Sequence, residues 1–231
     1  MTTLIGIRAG NGNGGVILGS DMSRTQTSWN PQGDVAYRQQ RRTEGQKIYI
    51  DNKREIALCM SGTYDQHYIG FLSKVINDEV DLKKNIEERF FPELAKLNYD
   101  RWQGKVPNNE NINGLLIATR FDEPKLYTCW PLGLLEERSW TSIGSGSEYA
   151  LNHISEQGKL IPRGICLGEA IDIVVAALDK ASQDVYTGGL DMVVVKKEGI
   201  YDFGKEIREE VNTARLKAIE GVKSKISKPS N

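Results

Sequence analysis

The order of its short apolar runs is the feature that most constrains the fold of this chain. The runs TTLIGIR and GVILGSD flank NGNGG, an Asn-Gly cluster that is typical of a hairpin turn. KIYID and EIALCMSG form a second such pair. Further runs are LLIATRF, KLYTCW, SWTSIGSG and LDMVVVKKEGIYDF. Because a hairpin joins neighbouring antiparallel strands, we expect antiparallel sheets.

Two regions between these strands have the residue spacing of helices. The region 63–102 is predicted to hold two helices, the second interrupted near Pro92. The other region contains SEYALNHISEQ, entered through a Gly-Ser cap, and GEAIDIVVAALDKASQDV. The apolar stripe predicted for the last helix comprises Ala170, Ile171, Val174, Val175 and Leu178.

This order of elements predicts an α+β fold. Groups of strands alternating with pairs of helices do not match the βαβα order of a Rossmann fold. They fit two antiparallel sheets packed face to face with helices outside, which is a four-layer αββα sandwich. Residues 1–231 are expected to form a single domain, with a C-terminal helix and tail at 205–231. The polar segment 23–45 is predicted to be a long surface loop or an irregular hairpin.

Composition and charge limit which binding partners, cellular location and cofactors are expected for this chain. The formal net charge of -1, with acidic and basic residues interspersed, indicates neither a nucleic-acid nor a membrane partner. Neither a signal sequence nor an apolar run long enough to cross a bilayer is recognisable, so a cytoplasmic location is expected. The three cysteines, lying in apolar runs, are predicted to be buried free thiols. His67 and His153 are far apart, so neither a metal nor a cofactor is expected.

The start of the chain carries the first chemical signal. Aminopeptidases remove Met before a small residue, so the mature chain is expected to begin at Thr2, and no propeptide is expected before it. An N-terminal threonine combines a nucleophilic hydroxyl with an α-amine that can accept its proton. Many chains begin with Met-Thr, however, and a merely processed terminus explains the pattern equally well.

Three further motifs occur with this terminus, in an order that resembles a known family. They are TT-x-x-GI at the start, IGSGSEYAL at a predicted strand-to-helix turn, and TGGLDMVVV before the last hairpin. From Thr2 to about Phe203 the chain resembles the proteasome β subunits and their bacterial peptidase relatives. The resemblance implies the fold of the N-terminal-nucleophile hydrolases and a threonine peptidase activity.

The resemblance assigns the reacting groups residue by residue. Thr2 matches the nucleophile, Lys47 matches the catalytic lysine, and Asp21 matches the acid that orients this lysine. The lysine ammonium would lower the pKa of the threonine hydroxyl and of its amine. On residue type alone, Asp21 could be a turn residue and Lys47 a solvated strand end.

Three more residues match supporting roles in the family. Gly62 matches the glycine whose N–H faces the oxyanion, Ser145 the hydroxyl that bonds the amine, and Asp191 the second acid near it. Turn or cap roles would also explain these residue types. The chain departs from the family in a longer segment between Asp21 and Lys47, a longer first turn and a shorter spacing before Asp191.

The resemblance also implies a substrate preference and partners. Met60 and Tyr64 are expected to line a pocket for an apolar substrate side chain. The substrate would be a protein or peptide, and the chain would form a homo-oligomeric ring or stacked assembly, with an ATPase or α-type partner as a further possibility. Two alternatives stay open: a catalytically idle structural subunit, and a specialised amidase or peptide ligase of the same fold.

Overall fold

Two five-stranded antiparallel sheets organise the molecule. The computed structural model describes residues 2–10, 14–30, 37–45, 47–52, 55–61, 96, 114–120, 123–130, 134–157, 164–184, 188–206, 210 and 213. The strands within these residues are β1 (Thr3–Arg8), β2 (Gly15–Ser20), β3 (Ser23–Asn30), β4 (Tyr37–Glu44), β5 (Ile48–Asp51), β6 (Ile56–Ser61), β7 (Gly114–Thr119), β8 (Lys125–Trp130), β9 (Leu134–Glu137), β10 (Trp140–Gly144), β11 (Asp191–Lys196) and β12 (Gly199–Asp202). The helices are α1 (Ser147–Glu156) and α2 (Leu167–Ala181).

The strand order separates the chain into a first and a second sheet. The first sheet has the order β10-β1-β2-β11-β12, and the second has the order β5-β6-β7-β8-β9. β3 and β4 pair only with each other among the described strands. All described pairs are antiparallel, as the hairpin signals predicted.

The first sheet is buried on both faces, which explains its nearly continuous apolar strands. Leu4 and Leu18 point into a core shared with the second sheet, where Leu116 and Leu126 lie. Alternate residues such as Ile5 point to the other face, where α1 and α2 cover the sheet. Successive side chains along a strand point to opposite faces of the sheet. A strand that lies between two covering layers must therefore be apolar at nearly every position. The fold is therefore an α+β sandwich, as predicted.

The second helical layer predicted for 63–102 lies outside the described residues, apart from Lys96, which is helical. The C-terminal helix predicted to begin at 205 is in part described, since residues 203–206, 210 and 213 are helical. The organisation of 1–231 as a single domain stays a prediction. No helix within the described ranges combines the length and the apolarity needed to cross a bilayer.

Four local predictions differ from the structure. The segment 23–45, predicted to be a long surface loop or an irregular hairpin, is more regular than that in its described residues: β3 and β4 are eight residues each and pair without interruption from Ser23↔Glu44 to Asn30↔Tyr37. The strand β9 was missed because its four residues lie in a stretch without clear alternation. Val175 is 39 % exposed, because the face of α2 that packs on the sheet instead includes Ile173 and Ala177.

The fourth difference is Cys166, which is exposed, whereas Cys59 and Cys129 are buried free thiols as predicted. Cys166 is the N-cap of α2: its Sγ accepts the Glu169 N–H, and its own N–H donates to the Glu169 carboxylate at 2.8 Å. This reciprocal arrangement is a capping box, which places the residue at the helix end instead of in the core.

Strand register brings the chemically interesting ends of several strands to one edge. In the first sheet, Thr3 pairs with Gly144, and Ser20 pairs with both Leu4 and Asp191. In the second sheet, Ile48 pairs with Cys59, and the last residue of β6 pairs with the first residue of β7. The starts of β1, β5 and β11 and the ends of β2, β6 and β10 therefore surround the same region between the sheets.

Candidate active site

Thr2 lies at this edge, immediately before β1, and is only 3 % exposed. Its Oγ1 accepts a hydrogen bond from Lys47 Nζ at 3.0 Å. Its carbonyl oxygen accepts the Ser145 N–H at 3.0 Å. Both the hydroxyl and the backbone of Thr2 are thus held by residues that are distant in the chain.

Lys47 brings a cation between the two sheets. It precedes β5, and its side chain is fully buried. The ammonium donates to Asp21 Oδ1 at 2.8 Å as well as to the Thr2 hydroxyl. An ammonium is seldom fully buried unless an opposite charge lies beside it, so the carboxylate is needed for this position.

Asp21 follows β2 and is also fully buried. Its Oδ1 accepts the Thr3 N–H at 2.7 Å in addition to Lys47, and its Oδ2 accepts the Ser23 N–H at 3.0 Å. Burial raises the pKa of the Asp21 carboxyl, and the neighbouring ammonium and these hydrogen bonds oppose that rise without cancelling it. Asp21 therefore loses its charge at a higher pH than an exposed aspartate would.

Asp191 lies at the first position of β11 and is fully buried. Its Oδ2 accepts the backbone N–H of Lys47 at 3.2 Å, so the carboxylate orients the start of β5. The role expected from the family, holding the amine end of Thr2, stays a prediction. The shorter spacing before Asp191 has not moved it away from the site.

A turn at residues 144–146 closes the other side of Thr2. Gly144 has φ +110°, in the left-handed region, and a Cβ there would overlap the Thr2 carbonyl oxygen. Only glycine fits this position, both for its backbone conformation and for the space available. Ser145 is exposed and contacts Thr2 through its backbone N–H, whereas the bond predicted between its hydroxyl and the amine stays a prediction.

Thr3 is a site residue that sequence reasoning missed. Its Oγ1 accepts the Gly146 N–H at 3.1 Å, while its own N–H donates to Asp21. The predicted Gly-Ser entry to α1 is present, since Gly146 is the N-cap and Ser147 the first helical residue, but the cap has no side-chain hydrogen bond among the described residues. The second threonine of the TT motif was the available signal, since its residue type permits this bond.

The substrate side of the site is only partly described. Gly62, the predicted oxyanion glycine, and Tyr64 lie outside the described residues. Ser61 directly precedes Gly62, and its Oγ would lie 2.9 Å from a Cβ placed on Gly144, so the end of β6 is next to the Thr2 turn. Met60 is fully buried, and the predicted apolar pocket stays a prediction.

The two buried cysteines, Cys59 and Cys129, have unreactive thiols. Burial and the Asp191 carboxylate raise the pKa of the Cys59 thiol, and burial raises the pKa of Cys129 to about 12. Thiolates, not thiols, are the reactive form, so neither cysteine is a nucleophile at neutral pH. Within the described part of the chain, no three or more His, Cys, Asp or Glu side chains are grouped to hold a metal ion.

Comparisons with known proteins point to one family. A family model described as Proteasome subunit matches residues 2–195. Proteasome subunit beta 1 of Nitrosopumilus maritimus is 35 % identical over 133 residues, which cover 56 % of this chain and 63 % of that protein. Proteasome subunit beta 1 of Desulfurococcus amylolyticus is 36 % identical over 141 residues, covering 57 % of this chain and 65 % of that protein.

A third relative matches a shorter part. Proteasome subunit beta 1 of Thermococcus gammatolerans is 38 % identical over 79 residues, covering 33 % of this chain and 38 % of that protein. The chain thus spans less than two thirds of the length of each of these relatives. The family model nevertheless covers most of the sequence, and it includes every residue described above as part of the site. This chain belongs to the proteasome subunit family.

Proposed function

We propose that this chain is a threonine-type peptidase that hydrolyses peptide bonds through an acyl-enzyme on Thr2, after removal of Met1. The observation that carries the proposal is the buried ion pair beside the Thr2 hydroxyl. Lys47 Nζ lies 3.0 Å from Thr2 Oγ1 and 2.8 Å from Asp21 Oδ1. A cation at that distance stabilises the negative charge that develops on the oxygen during attack.

The acylation step uses two groups of one residue. The free α-amine of Thr2 takes the hydroxyl proton while Oγ1 forms a bond to the substrate carbonyl carbon. The resulting oxyanion would accept the Gly62 N–H, and the Lys47 ammonium would stabilise the charge on the attacking oxygen. When the intermediate collapses, the C–N bond breaks and the leaving amine takes the proton held by the α-amine.

Deacylation repeats these transfers with water. The α-amine removes a proton from water, which adds to the ester carbonyl, and the C–Oγ1 bond then breaks. Oγ1 regains a proton, and the second product leaves as a carboxylic acid. The Lys47 ammonium, held by Asp21, lies beside the Thr2 oxygen in both steps. Asp191 holds the lysine backbone in place during both steps.

The alternative of an idle structural subunit is disfavoured by the energetics of the site. A buried ion pair contributes little net stability compared with apolar side chains of similar volume. A subunit that served only assembly would have no need for a fully buried lysine that donates to a threonine hydroxyl. A specialised amidase or peptide ligase would use the same acyl-enzyme with a different substrate or acceptor, so product analysis distinguishes it from a peptidase.

The direct test is covalent labelling of Thr2. Intact mass should show Met1 absent, and an epoxyketone peptide should add to the chain as a morpholine that joins the hydroxyl and amine of Thr2. Thr2→Ala should abolish the adduct and peptide hydrolysis without changing the fold. Full activity in a chain that keeps Met1 would refute the mechanism, because no free threonine amine would exist.

Lys47 variants test the role of the ammonium. Lys47→Ala should remove activity, and so should Lys47→Arg, since a planar guanidinium cannot replace a compact ammonium in this space. Lys125→Ala, which removes a partly exposed lysine from the opposite end of the second sheet, is the matched control and should leave turnover unchanged. Near-normal turnover of Lys47→Arg would show that the lysine is structural.

Substrate and assembly belong to the same proposal. Met60 and Tyr64 favour apolar over acidic substrate side chains before the scissile bond, and a substrate scan that prefers Asp or Glu would contradict this.

A cytoplasmic peptidase needs its sites enclosed, so we expect a homo-oligomeric ring or stacked particle, with an ATPase or α-type partner as a further part of the proposal. Sedimentation that finds a fully active monomer would favour the amidase or ligase.

A further inference from the structure

We infer that the Thr3 side chain is a positioning residue for the nucleophile: its hydroxyl holds the 144–146 turn against the Thr2 carbonyl. This inference rests on the proposed function of Thr2. In this proposal Thr3 acts through the turn.

The first step of the argument is the geometry around Thr3. This residue is fully buried, and its backbone N–H donates to Asp21 Oδ1 at 2.7 Å. Its Oγ1 accepts the Gly146 N–H at 3.1 Å. Thr3 therefore connects two parts of the site: the Asp21 carboxylate, which holds Lys47, and the 144–146 turn, which holds the Thr2 backbone.

The second step is what the turn does. The Ser145 N–H donates to the Thr2 carbonyl at 3.0 Å, while Gly144 approaches the same carbonyl so closely that a Cβ would overlap it. The turn thus sets the direction of the Thr2 backbone, and with it the position of the α-amine that must accept the hydroxyl proton. A small displacement of a catalytic group costs a large part of the rate.

The third step is why the hydroxyl is required. Gly146 is buried and is the N-cap of α1, which has no side-chain cap bond of its own among the described residues. Without Thr3 Oγ1, the Gly146 N–H would be buried and unpaired unless the turn moved. An unpaired buried donor is costly, so displacement of the turn is the expected response.

The variants separate the hydroxyl from the shape of the side chain. Thr3→Val keeps the branched side chain, which suits a strand, but removes the acceptor. Thr3→Ser keeps the acceptor. Ser142→Ala is the matched control: Ser142 is a buried residue of the adjacent strand β10, and its hydroxyl donates to the Leu4 carbonyl at 2.9 Å instead of bonding a residue of the turn.

Two measurements are made on the processed full chain. Hydrogen exchange reports protection of the Ser145 and Gly146 amides. The rate of Thr2 labelling by an epoxyketone peptide reports nucleophile positioning. For Thr3→Val we expect loss of protection at both amides and labelling slower by about 10- to 100-fold, with unchanged affinity for the probe. Thr3→Ser should be within about threefold of the parent chain, and Ser142→Ala should be unchanged in labelling.

The two measurements also distinguish the two proposals. If protection is lost in Thr3→Val but the parent chain is never labelled, the hydroxyl holds the turn, and it is the peptidase function that is refuted. If Thr3→Val keeps protection at Gly146, or labels at the rate of Thr3→Ser, the positioning role is refuted. Equal slowing in Ser142→Ala would also refute it, because any lost buried hydroxyl would then suffice.

Discussion

The energetic coupling between Lys47 and Asp21 provides the sharpest physical test of the site. Both side chains are fully buried, and 2.8 Å separates Nζ from Oδ1. We consider Lys47→Met, which keeps much of the chain length without the charge, and Asp21→Asn, which keeps the shape of the carboxylate. The two single variants and the double variant form a thermodynamic cycle.

The magnitudes follow from what each variant leaves behind. Lys47→Met leaves a buried carboxylate without its cation, and Asp21→Asn leaves a buried ammonium without its anion. Either change should lower the free energy of unfolding by about 3 to 5 kcal/mol. The double variant removes both charges of the pair, and its remaining defect is one backbone N–H, of Thr3 or Ser23, that faces the amide group instead of an oxygen. That defect costs about 1 to 3 kcal/mol.

The double variant should therefore be more stable than either single variant, with a coupling of at least about 3 kcal/mol. Urea unfolding followed by circular dichroism would measure it, at several protein concentrations, because assembly raises apparent stability. The matched control is the partly exposed pair of Arg8 with Glu137, 2.9 Å apart, for which we expect a coupling below about 1 kcal/mol. Additive effects of the Lys47 and Asp21 variants, within about 0.5 kcal/mol, would refute the ion pair.

Three further predictions address the turn, the carboxylate and the thiols. Gly144→Ala should destabilise the fold by about 2 kcal/mol or more and stop labelling of Thr2, because its Cβ would overlap the Thr2 carbonyl and its φ is unfavourable; labelling at the parent rate would contradict the described turn. In a pH profile, kcat/KM should fall as the pH drops through the raised pKa of Asp21, because protonation removes the charge that holds the ammonium. An acid limb at the pKa of an exposed aspartate would be evidence against this. A thiol reagent at pH 8 should modify Cys166 quickly and the two buried cysteines only after unfolding; three fast thiols would show that the interior is open.

The types of most described elements were predictable from local patterns. β-branched runs and the Asn-Gly turn predicted β1 and β2, and the helical spacing of GEAIDIVVAALDKA predicted α2. These signals are local, since they depend on which residues alternate along a few turns or strand positions. The same local signal failed for β9, which is four residues long, and for Val175, where apolar character alone did not say which face of the helix packs.

The site residues were identified by resemblance to a family. That resemblance did not show which of them lie close together in space; only the structure shows that. The resemblance named Thr2, Asp21, Lys47, Ser145 and Asp191, and the structure places them around one edge of the two sheets. Their catalytic roles stay predictions. Gly62 and Tyr64 stay predictions of position as well.

What the sequence determined by itself was the alternation of buried and exposed positions and the residue types available for chemistry. Only the tertiary structure decided that Thr3 bonds Gly146 across 143 positions of sequence, and that Asp191 bonds the Lys47 N–H across 144. Strand pairing sets such contacts, because the order and register of strands in a sheet determine which ends meet. Periodicity along one strand carries no record of its neighbours, so these bonds could not be inferred before the sheets were assembled.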